Sequence, residues 1–210
     1  MNITIFGSTG GTGQQLVRIA LERGHEVTAF ARTPKKLEVQ HSHLTPVEGD
    51  IRDAEAAALA IKDADAVISA IGPTPGSPDD LMAKAAQNIV SGMKAHNVRR
   101  LVWSTGAGVK APQDEPTLMH KAISFLLRLI SKDVLENSLR GAETIQNSNL
   151  DWTIARAPML TNECRKQGYQ ASFVGPGMGR TLSRENFAEF MLDLAENAEW
   201  VQQMPAASDK

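Results

Sequence analysis

Hydrophobic positions along this chain fall into two alternating patterns. In short runs most residues are apolar or β-branched: Asn2 to Phe6, Glu26 to Ala31, Leu44 to Val47, Ala66 to Ile71, Leu101 to Ser104 and Trp152 to Arg156. Between them lie longer segments in which apolar residues recur at helical spacing: Gln14 to Arg23, Ala54 to Ile61, Leu81 to His96, and one from about 116 to 147 that can be broken along its length. Apolar runs without polar alternation are strands covered on both faces, and the amphipathic segments are helices that bury one stripe. Their alternation predicts an α/β fold, a doubly wound, mainly parallel sheet with helices on both faces joined by right-handed crossovers. Ligands of such sheets sit beyond the carboxyl ends of the strands.

The alternation weakens beyond Pro158, where Gly and Pro accumulate. Tyr169 to Val174 reads as a short strand, and Arg184 to Glu196 as a last helix introduced by Ser183, a residue type suited to capping. The stretch from about 158 to 200 is expected to roof the site, and Pro205 to Lys210 reads as a frayed tail.

A length of 210 residues with 42% hydrophobic content predicts one domain over 1–210. The formal net charge of −2 gives no global attraction to nucleic acid or to an anionic membrane, so small molecules are the expected partners. Cys164 is the only cysteine, and the chain opens on a strand-like segment instead of a signal-like one, which favours the cytoplasm. The apolar stretch of Ala122 to Leu127 meets Arg128 well before the roughly 20 residues that cross a bilayer. His25, His41, His43 and His96 have no carboxylate or cysteine partners at metal-ligand spacing, and no metal is expected.

The chemistry begins at Gly7-Ser8-Thr9-Gly10-Gly11-Thr12-Gly13, which follows the first strand and precedes the first helix. Its G-x-x-G-x-x-G spacing supplies a tight turn, close backbone approach to a pyrophosphate, and helix-to-strand packing at Gly13; the helix N-terminus adds the positive end of its dipole. A flexible loop is the bland alternative, but the strand–turn–helix setting favours dinucleotide binding in a Rossmann-type fold. NAD-preferring sites place an Asp or Glu at the end of the second strand to hold the ribose 2′-OH. Here that position carries Arg32, with Lys35 and Lys36 close behind, a set suited to the 2′-phosphate of NADP(H).

Together with Gly49-Asp50-Ile51, the run Asp65 to Gly72 and the run Leu150 to Pro158, these segments resemble the atypical short-chain dehydrogenases. Within them the likeness is to the NAD(P)H-binding group that holds biliverdin reductase B, or flavin reductase, and the NmrA-like proteins. It spans almost the whole chain. The resemblance implies that Asp50 and Ile51 border the adenine, that Ala70, Ile71 and Gly72 pass beneath the ribose and pyrophosphate, and that Ser104, Thr105 and Gly106 approach the nicotinamide with Pro158 walling its side. Each has a structural rival: Asp50 can cap the helix beginning near Asp53, Gly72-Pro73 can end a strand, and Pro158 can form a turn.

The Tyr-x-x-x-Lys pair of conventional short-chain dehydrogenases is absent: Tyr169 is the only tyrosine, and its fourth follower is Phe173. The flavin-reductase relatives carry a hydroxyl residue aligned with Gly106 and a histidine aligned with Met159, so this chain departs from them at both places. Ser104 and Thr105 remain as candidate catalytic hydroxyls, His120 and Lys121 as a candidate proton source, and Met159, Leu160 and Phe125 as an apolar wall. These features suit NADPH-dependent hydride transfer to a flavin, quinone or similar planar acceptor, for which positioning in a dry pocket does most of the work. The alternative is a non-catalytic NmrA-like redox sensor with a protein partner, which the apolar segment Met119 to Ile130 could engage. A nucleotide-sugar epimerase or dehydratase ranks last, for want of the tyrosine and of chain for a sugar-binding lobe.

Overall fold

The computed structural model describes residues 1–73, 76–117, 132–163, 167–197 and 199–210. The six apolar runs form β1 (Asn2–Phe6), β2 (Glu26–Ala31), β3 (Leu44–Glu48), β4 (Ala66–Ser69), β5 (Arg100–Gly106) and β6 (Asp151–Ala157). They are parallel neighbours in the order β3-β2-β1-β4-β5-β6. The winding reverses at β1, because β1 leads to β2 on one side while β4 returns to its other side; the gap this opens beyond the carboxyl ends is where such sheets bind ligands.

Both faces of the sheet are covered, which is why the strands read as unbroken apolar runs. Ile3, Ile5, Val27, Ile68 and Val102 pack beneath α1 (Gly11–Glu22) and α5 (Arg184–Glu196). Val67, Leu101, Trp103 and Ile154 pack beneath α2 (Ala54–Ile61), α3 (Leu81–Ala95) and α4 (Lys132–Gln146). Asp53 caps α2 by accepting from the amides of Glu55 and Ala56 at 3.0 and 3.2 Å. Ser183 caps α5 through the Asn186 amide at 3.1 Å, as its sequence position foretold. Arg23 and His25 tie the end of α1 to α5: Arg23 meets Asp193 at 2.7 Å, and His25 Nε2 lies 2.6 Å from Glu196 Oε1.

The structure moves several boundaries. Helix α1 starts at Gly11, ahead of Gln14, because the glycines already take helical geometry against β1. β5 and β6 extend over polar residues, since Arg100 at the head of β5 spends its guanidinium on the carbonyls of Leu194 and Asp151 and on Thr153 Oγ1. Burial pushes the Arg100 guanidinium down to about 10. Residues 116 and 117 are not helical, and 118–131 lie outside the described residues, so the long helix foreseen from 116 is described only as α4.

The C-terminal reading is corrected: Pro205 to Lys210 is not frayed. Ala206–Asp209 forms β10, parallel to β6 and antiparallel to β8 (Tyr169–Ser172), and it completes an eight-stranded sheet. Its residues Ala206, Ala207 and Ser208 are buried. Their side chains are too small to register as a hydrophobic run, yet they let the strand lie close under its neighbours. The Asp209 carboxylate accepts from the Ser183 amide at 3.0 Å and from Asn186 Nδ2 at 2.7 Å, so the tail anchors the start of α5. A second small sheet pairs β7 (Met159–Thr161) with β9 (Thr181–Ser183), neither of which stands out in the sequence.

A buried ion pair fastens this roof to the sheet. Arg156 of β6 is fully buried and donates to both Asp114 carboxylate oxygens at 2.7 Å, to the Val109 carbonyl at 2.9 Å and to the Met204 carbonyl at 2.7 Å. Asp114 also accepts from the amides of Ala111 and Val174 at 2.8 and 3.0 Å. Burial pushes the Asp114 carboxyl up, but Arg156 and the two amides outweigh it and hold the carboxyl below its ordinary range. Removing one partner strands the other charge, so Asp114→Ala is expected to lower unfolding free energy by about 3–5 kcal/mol in urea titrations. As pH falls, the unfolded chain protonates this residue first, near pH ~4, so its stabilisation is present above that range and is lost through it and below. Asp114→Asn is expected to flatten that acid limb of the stability profile.

Candidate functional site

The glycine turn is built to bring backbone, not side chains, to the ligand side of β1. Gly7 has φ +75°, the left-handed region that glycine enters without a Cβ penalty. A Cβ there would stand 2.9 Å from the Ala70 carbonyl carbon and from the Ile71 nitrogen, so the turn rests against the end of β4. At Gly13 a Cβ would come 2.1 Å from the Gly7 carbonyl oxygen, a distance no side chain tolerates. The motif's first and last glycines therefore fix turn and helix against one another. Gly10 holds the N-cap of α1 without a side-chain cap, and no acidic residue stands in the first turn, which leaves the amide donors and positive dipole end open. Ser8 is buried and donates its hydroxyl to the Phe30 carbonyl at 3.0 Å, which pins the turn to β2; its side chain is structural. Thr9 is half-buried, Gly10 and Gly11 are exposed, and Thr12 is buried.

Beyond β2, Arg32 is exposed and, among the described residues, makes no salt bridge; Lys35 and Lys36 follow on a 3-10 turn (Pro34–Lys36), also exposed. Gly49 lets the β3 end pass under Phe30, whose ring would meet a Cβ at 2.5 Å. Asp50 does not cap α2, since Asp53 does. Its carboxylate instead grips Arg52, with Nε to Oδ1 at 3.0 Å and Nη2 to Oδ2 at 2.6 Å. The Arg52 side chain and amide, with Arg32 nearby, hold the Asp50 carboxyl down at about 2. Ile51 is buried in the core, and its carbonyl accepts from Asn88 Nδ2 of α3 at 2.8 Å. Arg52 and Asn88, which fix this loop, were not singled out in the sequence; neither forms a local motif.

On the other side of the switch point, Ala70 and Ile71 are half-buried and Gly72 is exposed. Ser104 is buried near the end of β5, and Thr105 Oγ1 is buried with no hydrogen-bond partner among the described residues, as is Ser69 Oγ at the end of β4. A Cβ at Gly106 or Gly72 would meet nothing within 4 Å, so the backbone is open at these two glycines, while the two hydroxyls themselves are covered by protein. Pro158 is half-buried and Met159 is 65% exposed, outside the core. The Ala107 amide donates to the Ala157 carbonyl at 2.7 Å and joins the Ser104–Gly106 end to Pro158. Uncapped helix donors at the head of a turn whose glycines put no side chain in the way fit the pyrophosphate of a dinucleotide. His120, Lys121, Phe125 and the segment Met119 to Ile130 lie outside the described residues.

Tyr169 sits away from this site. Its ring packs on Phe190 with centroids 5.1 Å apart, and its hydroxyl donates to Asp193, itself paired with Arg23. Burial and the Asp193 carboxylate push the Tyr169 phenol well above its ordinary range. Among the described residues, no three His, Cys, Asp or Glu side chains gather as a metal site, and no helix is long and apolar enough to cross a membrane.

Comparison with known proteins agrees with this geometry. YwnB from Bacillus subtilis is 37% identical over 108 residues, 51% of this chain and 48% of that protein. A 2-alkyl-3-oxoalkanoate reductase from Stenotrophomonas maltophilia is 32% identical over 114 residues, 52% of this chain and 34% of the enzyme. The chain thus matches about half or less of the length of these relatives. A short-chain dehydrogenase/reductase from Veillonella parvula, solved in complex with NADP, shares the fold with a TM-score of 0.81 over 99% of this chain and 94% of that one, at 19% identity. Residues 7–198, from the first glycine of the turn to the end of α5, match the NAD(P)H-binding family, and this protein belongs to it.

Proposed function

We propose that this protein is an NADPH-dependent reductase that passes hydride to a flavin, a quinone or a similar conjugated, planar acceptor. The observation that carries the reading is the position of Tyr169. The chain's only phenol is half-buried against Phe190 and bonded to Asp193, on the α1–α5 side of the molecule, so no tyrosine is available to protonate a carbonyl substrate at the end of β5. Acceptors that spread the incoming charge over a conjugated ring need no such donor.

When bound, the reduced nicotinamide supplies the hydride. The chain's part is to hold and orient. The open amides of α1 and the turn Gly7 to Gly13 receive the pyrophosphate; Asp50, Ile51, Ala70, Ile71 and Gly72 border the adenosine half. Arg32, exposed and free of a salt bridge among the described residues, reads the 2′-phosphate. Ser104 and Thr105, at the end of β5, orient the nicotinamide carboxamide. Pro158, Met159 and Leu160 offer the apolar wall on which a flat acceptor stacks and from which water is excluded.

Purified protein is expected to oxidise NADPH when FMN, riboflavin or a small quinone is supplied, faster than NADH, followed by loss of nicotinamide absorbance. Tight NADPH binding without turnover on any acceptor would replace the reductase with an NmrA-like sensor. Arg32→Asp removes a charge-assisted contact worth about 1.5–3 kcal/mol and should weaken NADPH roughly 10- to 100-fold. NADH, which lacks the 2′-phosphate, should change little; equal losses would show that Arg32 does not read that group.

A further inference from the structure

The arginines along the α1–α5 seam are matched to carboxylates, with one exception. Arg18 meets Glu185 at 2.8 Å, and Arg23 meets Asp193 at 2.7 Å and Glu196 at 2.6 Å. Arg184, the first residue of α5, turns the other way and lies across the glycine turn. A Cβ on Gly11 would stand 2.8 Å from Arg184 Cδ and 2.9 Å from its Nε, so the side chain occupies the place that glycine leaves open. Its Nη1 donates to Asn162 Oδ1 at 2.6 Å, a neutral acceptor just past β7, and among the described residues no carboxylate pairs with it.

This arrangement sets like against like. A guanidinium lies beside the positive end of the α1 dipole, where amide donors are uncapped and no acidic residue stands in the first turn. A cation at that end of a helix is unfavourable unless an anion lies within reach of both. A pyrophosphate meets the requirement: it carries two negative charges, one facing the helix amides and the other facing the guanidinium, which binds phosphate oxygens with directed hydrogen bonds.

We propose that Arg184 is a pyrophosphate clamp, closing on the diphosphate from beside Gly11 at the head of α1 and exchanging Asn162 for it. The proposal rests on the reading of the turn as a dinucleotide site. Because Arg184 follows β9 and Asn162 follows β7, the exchange ties cofactor occupancy to the small sheet that roofs the acceptor pocket. Long sequence separation between Gly11 and Arg184 hides the contact from any motif.

The test is calorimetric binding of NADPH, NADH and 2′-AMP to the wild type, Arg184→Gln and Arg184→Lys. Arg184→Gln is expected to weaken NADPH and NADH alike, roughly 10- to 100-fold, because both carry the pyrophosphate. Arg184→Lys should restore part of the loss, and 2′-AMP, which has no pyrophosphate, should bind both variants as it binds the wild type. Unchanged NADPH and NADH affinity in Arg184→Gln overturns the clamp and leaves the dinucleotide reading standing. Loss that extends equally to 2′-AMP overturns it as well, since the residue would then act through the fold. Wild-type protein that binds neither dinucleotide overturns the site reading itself.

Discussion

The irregular segments beyond β5, β6 and β8 depend on one buried charge pair. Arg156 projects from β6 into the buried interior and finds there the Asp114 carboxylate and the carbonyls of Val109 and Met204. Those partners come from the loop after β5, from the chain before β10 and, through the Val174 amide on Asp114, from the segment after β8. Hydrophobic contact alone would leave these irregular stretches many packings of similar energy. Directed hydrogen bonds to a buried guanidinium narrow the choice, because each misplacement strands a polar group. The wall beside Ser104 and Pro158 is shaped by that demand.

The sheet was legible because its chemistry is local. Runs such as Asn2 to Phe6 and Ala66 to Ser69 announce burial on both faces, and Asp53 and Ser183 mark helix starts within a few residues of the amides they accept from. The glycine turn was legible for the same reason: Gly7 and Gly13 are six positions apart and touch each other. What failed was long-range. Ala206 to Asp209 looks like a polar tail until β6 and β8 are placed on either side of it, and β7 and β9 acquire meaning only as a pair.

The candidate site divides along the same line. Its adenosine and pyrophosphate end is written in consecutive residues around Gly7, Arg32 and Asp50, while the fixtures that hold it, Asn88 on the Ile51 carbonyl and Arg52 on Asp50, appear only in three dimensions. The β5 end rests on isolated hydroxyls and apolar residues whose types are common in any core. That is why a nicotinamide dinucleotide is easier to infer here than any second ligand.

The pairing of α1 with α5 has a consequence for biogenesis. One face of the sheet is roofed by residues drawn mainly from the middle of the chain, α2, α3 and α4, but the other joins Leu16, Val17 and Ala20 of the first helix to Phe187, Phe190 and Met191 of the last. During synthesis from the N-terminus, the middle helices can settle on β1, β4 and β5, while α1 can pack on β1 and β2 but lacks its partner α5. The glycine turn at its head therefore acquires its final support late, when α5 has left the ribosome, and the nascent chain carries a half-covered apolar helix until then.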